Sequence, residues 1–199
     1  MNHKIAVMAS GKGSNLQVIL DAIAQGQCAA QVEVVISNKA DAGALQIARN
    51  AGVPRVLYLN PKEYDSRAAY DLACAKEIKK SNCALIVLAG YMRILSPEFI
   101  HTFPHQIINI HPSLLPAFKG ADAVGDALKA GVKVSGCTVH RVNEELDSGE
   151  ILAQACVPVL DSDSWHDLHQ RIQEKEHAIY VEVIHQLLTS KRVGDASHH

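Results

Sequence analysis

The feature that most constrains this chain is a repeated alternation of short, unbroken apolar runs with longer segments that carry apolar residues on one helical face. "IAVMA" precedes "NLQVILDAIAQ", "VEVVIS" precedes "AGALQIARNAG", "VPRVLYL" precedes "SRAAYDLACAKEIKKS", and "ALIVLAG" precedes "SPEFIHTF". Short β-branched runs suit strands and longer amphipathic ones suit helices, so the alternation predicts βαβ units. A strand covered on both faces has no polar side to show, and "EVVIS" and "LIVLAG" read that way. The expected fold class is α/β, with a doubly wound, mostly parallel sheet.

The pattern changes after Pro116. "VSGCTVHRV" and "EILAQACVPV" are separated only by the polar "NEELDSG", too short for a helical crossover, so these two strands should be antiparallel. A long C-terminal helix is expected to start near Ser164, where Ser164 and Asp167 have the spacing of a capping box. With 199 residues, 48% of them hydrophobic, the chain can bury a full core, and one domain over 1–190 is the expectation. The polar segment 191–199 reads as a disordered tail.

A net charge of −2 gives no general attraction to nucleic acid phosphates, and small-molecule substrates are favoured. No window is apolar enough to span a bilayer, and the N-terminus lacks the features of a secretion signal. The five cysteines, Cys28, Cys74, Cys83, Cys137 and Cys156, form no C-x-x-C pair, which fits a reducing cytoplasm.

"ASGKGSNLQ" links the first strand to the first helix. Gly11 and Gly13 let the backbone turn sharply and expose N–H groups, and Ser14 and Asn15 are natural capping residues. A helix N-terminus carries partial positive charge and welcomes an anion. The turn does not supply a Walker A pattern. It also lacks the third glycine of a dinucleotide fingerprint, where Leu16 stands, and the second strand ends in Ser37 and Asn38 rather than an acid for a ribose. A monophosphate or similar single anion, a purely structural turn and a dinucleotide site remain as readings.

"HQIINIHPSLLP" reads as a short buried strand over 106–110, with Asn109 and His111 on one face at its C-terminal end. Ligands of open α/β sheets bind at the carboxyl ends of strands, the edge at which the 11–15 turn also lies. Pro112 and Pro116 bias His111 and Leu115 toward extended backbone, which pre-organises the segment without a helix. Asp147, in the acidic "NEELDSG" connection, is a candidate for orienting the histidine ring, whereas Glu144, Glu145 and Glu150 read as solvated surface. The close histidine pairs His101 with His105 and His166 with His169 lack a convincing third ligand, so no metal is expected.

"SGKGSNLQ", "VLAGYMRILS", "NIHPSLLP", "GCTVH", "ELDSG" and "QEKEHAIY", in this order and spacing, closely resemble the folate-dependent glycinamide ribonucleotide formyltransferases of purine biosynthesis, over about residues 3–190. The resemblance implies a Rossmann-like formyltransferase fold, with a nucleotide-binding half over about 1–105 and a catalytic and folate-binding half over about 106–190. It implies Asn109, His111 and Asp147 as the catalytic group. It implies Gly11, Gly13, Ser14, Asn15, Gln173 and Glu176 as contacts to the ribonucleotide, and Met92, Arg93, Ile94, Leu95 and Val142 as contacts to the folate. The implied substrates are 10-formyltetrahydrofolate and glycinamide ribonucleotide, with no metal, no nucleic acid and no membrane, in a monomer or homodimer.

The resemblance has departures. "GADAVGDAL" stands where many members have a histidine-rich segment, "VHR" replaces V-H-F, and "SGEIL" replaces G-P-I-L; His140 remains as a residue behind the catalytic group. Methionyl-tRNA formyltransferase shares an N-x-H-x-S-L-L-P segment but is expected to need a further basic domain for tRNA. A formyltetrahydrofolate deformylase is expected to carry an N-terminal regulatory domain, and this chain starts at its first strand. A dinucleotide-dependent oxidoreductase or a nucleotide-binding module fits the α/β pattern but leaves Asn109, His111 and Asp147 together unexplained.

Overall fold

Seven strands form one sheet in the order β3-β2-β1-β4-β5-β6-β7. They are β1 (Lys4–Ala9), β2 (Gln31–Ser37), β3 (Arg55–Tyr58), β4 (Leu85–Leu88), β5 (Ile107–His111), β6 (Val134–Arg141) and β7 (Ile151–Pro158). The first five are mutually parallel; β6 and β7 run antiparallel to their neighbours, as their short connection requires. This computed structural model describes residues 3–190, and the polar tail expected at 191–199 lies outside the described residues.

The unbroken apolar strands are explained by cover on both faces. In β1, Ile5, Val7 and Ala9 face one core with Leu16 and Ile19 of α1 (Ser14–Ala24), Ala44 and Ala48 of α2 (Gly43–Asn50), and Leu168, Ile172 and Tyr180 of α6 (Trp165–Thr189). Ala6 and Met8, one residue out of step, face a second core with Tyr70, Cys74 and Ile78 of α3 (Arg67–Lys79) and Phe99 of α4 (Pro97–Thr102). Side chains alternate across a strand, so only a strand with apolar residues at every position can serve both cores. Full burial of each large side chain contributes about 1.5–3 kcal/mol.

Two local differences from the sequence-based expectation have clear causes. Strand β5 runs one residue later than 106–110, because His111 pairs with Thr138 of β6 and so stays in the sheet. The segment "ADAVGDALKA", to which the pattern assigned no element, holds α5 (Ala123–Ala130), with the Asp122 side chain accepting from Gly125 N–H at its N-terminus. The long helix α6 begins with the Ser164–Asp167 capping box expected from the spacing. The Tyr180 hydroxyl of α6 donates to the Leu88 carbonyl (2.9 Å) and lies 3.2 Å from the Ile108 carbonyl, which ties the helix to the two strands whose ends carry the site.

Candidate active site

A cavity of about 350 Å³ opens at the carboxyl ends of β4 and β5. Its walls are residues 90–95, the end of β5, residues 120–121, His140 and the 142–147 connection. Asn109, His111 and Asp147 all reach it, although 38 positions of chain separate the first from the last. Asp147 adopts a left-handed backbone (φ 48°), a conformation Asp tolerates better than most residues, and this aims its carboxylate inward.

Hydrogen bonds determine which nitrogen does what. Asn109 and His140 are opposite each other in the β5–β6 register. His140 Nδ1 lies 2.9 Å from the Arg141 carbonyl, which can only accept, so Nδ1 carries the proton and donates. Nε2 is then a lone pair, and the Asn109 group facing it at 3.3 Å must be the amide NH2. One N–H of Asn109 is used in this way and the other is left for the cavity. Burial holds the His140 pKa below its usual value and favours this neutral form, outweighing the nearby Asp147 charge, which acts the other way.

His111 is assigned by the same reasoning. Nε2 donates to the Phe118 carbonyl (2.8 Å), which leaves Nδ1 as the nitrogen able to exchange a proton. Asp147 Oδ2 stands 3.5 Å from that Nδ1 and accepts from Gly120 N–H at 2.9 Å, while Oδ1 lies 3.7 Å from His140 Nε2. The carboxylate therefore sits between two buried imidazoles. A register irregularity in the β6–β7 pair falls at Val139/His140, the kind of local twist that re-aims a side chain.

The loop after His111 is held by side chains of the antiparallel strands. Buried Thr138 donates to the Ser113 carbonyl and accepts from Leu115 N–H, and Gln154 donates to the Leu115 carbonyl. Ser113 donates to the Ala117 carbonyl, and the Leu115–Pro116 peptide is cis. These bonds bring the Phe118 carbonyl and Gly120 N–H to His111 and Asp147.

Met92, Arg93, Ile94, Leu95 and Val142 all line the same cavity. Met92 and Ile94 are 73% and 56% exposed and give the mouth of the cavity an apolar surface. The Arg93 guanidinium lies over the Tyr70 ring, 4.7 Å from its centroid.

Gly11, Gly13, Ser14, Asn15, Gln173 and Glu176 lie outside this cavity wall. Gly13, at φ 87°, is the N-terminal boundary of α1; a Cβ there would come within 2.7 Å of the Ala44 backbone. Contrary to the capping expected of Ser14 and Asn15, the N-cap position of α1 falls on Gly13, which has no side chain to accept from the first N–H groups, and these have no intrahelical partner. The Ser14 hydroxyl instead accepts from Gln173 of α6 (3.1 Å), which joins two segments 159 positions apart. Glu176 is buried, only 7% exposed, and burial pushes its carboxyl up to about 7.

The departures from the family pattern also have structural partners. Arg141 and Glu150 pair with each other across the β6–β7 hairpin, Nε to Oε2 at 3.0 Å. In the altered segment, Asp122 caps α5 and accepts from Trp165 Nε1 of α6, and a Cβ on Gly125 would strike the Asp122 carboxylate at 2.3 Å. Sequence reasoning left His140 behind the site, whereas its ring lies in the cavity wall. It had no signal for the Phe118 carbonyl or Gly120 N–H, which act through the backbone.

A sequence model of the family described as formyl transferase matches residues 3–184. Phosphoribosylglycinamide formyltransferase of Haemophilus influenzae is 45% identical over 181 residues, which cover 91% of this chain and 85% of that protein. The trifunctional purine biosynthetic protein adenosine-3 of Bos taurus is 42% identical over 96% of this chain, but the chain spans only 19% of that protein's length. Among solved structures, glycinamide ribonucleotide transformylase 1 of Symbiobacterium toebii superposes with a TM-score of 0.91 at 47% identity, covering 94% of this chain and 88% of that one.

Proposed function

The chain belongs to the formyl transferase family, and from that premise we propose that it transfers the formyl group of 10-formyltetrahydrofolate to the amine of glycinamide ribonucleotide, giving formylglycinamide ribonucleotide and tetrahydrofolate. The observation that carries this reading is the meeting of Asn109, His111 and Asp147 on the wall of an apolar-mouthed cavity, beside an uncapped helix N-terminus. The folate ring enters between residues 92–95 and Val142, where apolar walls suit a flat heteroaromatic ring. The ribonucleotide phosphate lies on residues 11–15, and Gln173 and Glu176 of α6 contact the rest of the ribonucleotide.

The neutral amine attacks the formyl carbon, and the carbonyl π electrons move onto oxygen. The N–H of Asn109 left over from the His140 bond donates to that oxyanion, and the fixed tautomer of His140 means the donor needs no reorientation as charge develops. The amine must lose a proton and the folate nitrogen must gain one as the C–N bond breaks. His111 Nδ1, facing the Asp147 carboxylate, is the group that can hold and return that proton. Departure of tetrahydrofolate restores the carbonyl and leaves the formyl group on the amine.

The test compares two acceptors. Glycinamide ribonucleotide should be formylated, and the corresponding ribonucleoside without phosphate should show a KM raised by about 100-fold with kcat changed far less, because the phosphate supplies binding and not chemistry. Equal KM values for the two acceptors would remove the phosphate from residues 11–15.

A further inference from the structure

The 90–95 segment that lines the cavity is neither helix nor strand, so no ladder of backbone hydrogen bonds fixes its position. Its anchors are individual contacts. At the far end the buried carboxylate of Asp71 accepts from Ser96 N–H at 2.6 Å. At the near end the anchor is Ser10, the residue that follows β1 and precedes the 11–15 turn. Ser10 N–H donates to the Gly90 carbonyl at 3.0 Å, and the Ser10 hydroxyl accepts from Met92 N–H at 2.8 Å.

The Ser10 side chain is itself aimed. It is only 2% exposed, and its hydroxyl donates to Asn38 Oδ1 at 2.6 Å. Asn38 follows β2, so three strand-end segments meet at one oxygen. A hydroxyl that spends its single proton on Asn38 has only lone pairs left for Met92, so the direction of both bonds is fixed. The Met92 side chain is largely exposed and adds little to hold its own backbone in place.

We propose that Ser10, although it adjoins the anion-binding turn in sequence, is a positioning residue for the folate: its hydroxyl, oriented by Asn38, holds the Met92 backbone and so sets the register of the 92–95 wall. The inference rests on the proposed formyl transfer, because it takes that wall to be the folate site. Substitution of a residue beside the phosphate turn should therefore weaken the other substrate.

The experiment measures binding of tetrahydrofolate and, separately, of glycinamide ribonucleotide to the whole protein and to Ser10→Ala and Asn38→Ala. Loss of the Met92 bond should raise the tetrahydrofolate Kd by about tenfold in Ser10→Ala, and by about threefold in Asn38→Ala, which keeps the hydroxyl but frees it to rotate. The ribonucleotide Kd should stay within about twofold in both, and in turnover the folate KM should rise more than kcat falls. Should Ser10→Ala fail to fold, Asn38→Ala alone reads the same split between ligands. An unchanged tetrahydrofolate Kd, or equal loss of both ligands, would overturn the assignment. If neither ligand bound the unsubstituted protein, the functional reading would fall and this inference with it, whereas ribonucleotide binding with a split absent would sink this inference alone.

Discussion

Asn109 and His140 fix each other's hydrogen-bonding state, and the consequence is measurable. On the proposed mechanism Asn109→Ala lacks the donor to the developing oxyanion, so kcat should fall by about 10²–10³ with little change in either KM. A loss confined to KM would make Asn109 a binding group instead. His140 supplies a pH dependence with a definite sign. Its pKa is held below 6.5 by burial, so its neutral form is present above that value and is lost as pH falls through the lowered folded pKa. Protonation would turn the Nε2 acceptor into a donor and set it against the Asn109 NH2. Activity should therefore decline on the acid side below about pH 6.5, and His140→Gln, which cannot take up that proton, should weaken this limb of the profile. An identical limb in the variant would assign it to another group.

Among the elements, α6 carries a titration that the mechanism does not need. Glu176 is buried against β6, and its carboxyl is pushed from 4.5 up to about 7. The folded state therefore holds this proton more tightly than the unfolded chain, so its contribution to stability is present at low pH and is lost as pH rises from about 4.5 to 7. The loss is on the order of 3 kcal/mol. Glu176→Gln should be more stable than the parent at pH 8, with the difference vanishing near pH 4, as read by denaturant unfolding at each pH. A difference independent of pH would mean that Glu176 is ionised in the fold. The sequence pointed to Glu176 only through the family resemblance; on its own, "QEKEHAIY" looks like a solvated helix face, because the strand that buries it is remote in sequence. The element pattern itself was readable, since two-sided burial leaves an unbroken apolar run. Helix α5 was not, because its cap depends on a tryptophan more than 40 positions away and on the missing Cβ of Gly125.

On the scale of the whole molecule, the parallel sheet brings the 11–15 turn and the 90–95 segment to one edge, and the antiparallel strands close the cavity wall that carries His140. The mostly parallel sheet with its antiparallel pair was legible from the apolar runs, whereas the strand order was not, and Asn109 was grouped with Asp147 only through the motif series of the family resemblance. The hydrogen bonds that assign proton positions were not legible, because they use the backbone groups of Phe118, Gly120 and Arg141, which no side-chain pattern records. The central claim is that the formyl group passes to an amine and not to water. Its most direct test follows 10-formyltetrahydrofolate with the protein, with and without glycinamide ribonucleotide, measuring tetrahydrofolate, formate and formylated ribonucleotide together. Tetrahydrofolate and formylated ribonucleotide should form in equal amounts only when the amine is present. Release of formate and tetrahydrofolate at the same rate without the amine would contradict the account and make the chain a deformylase.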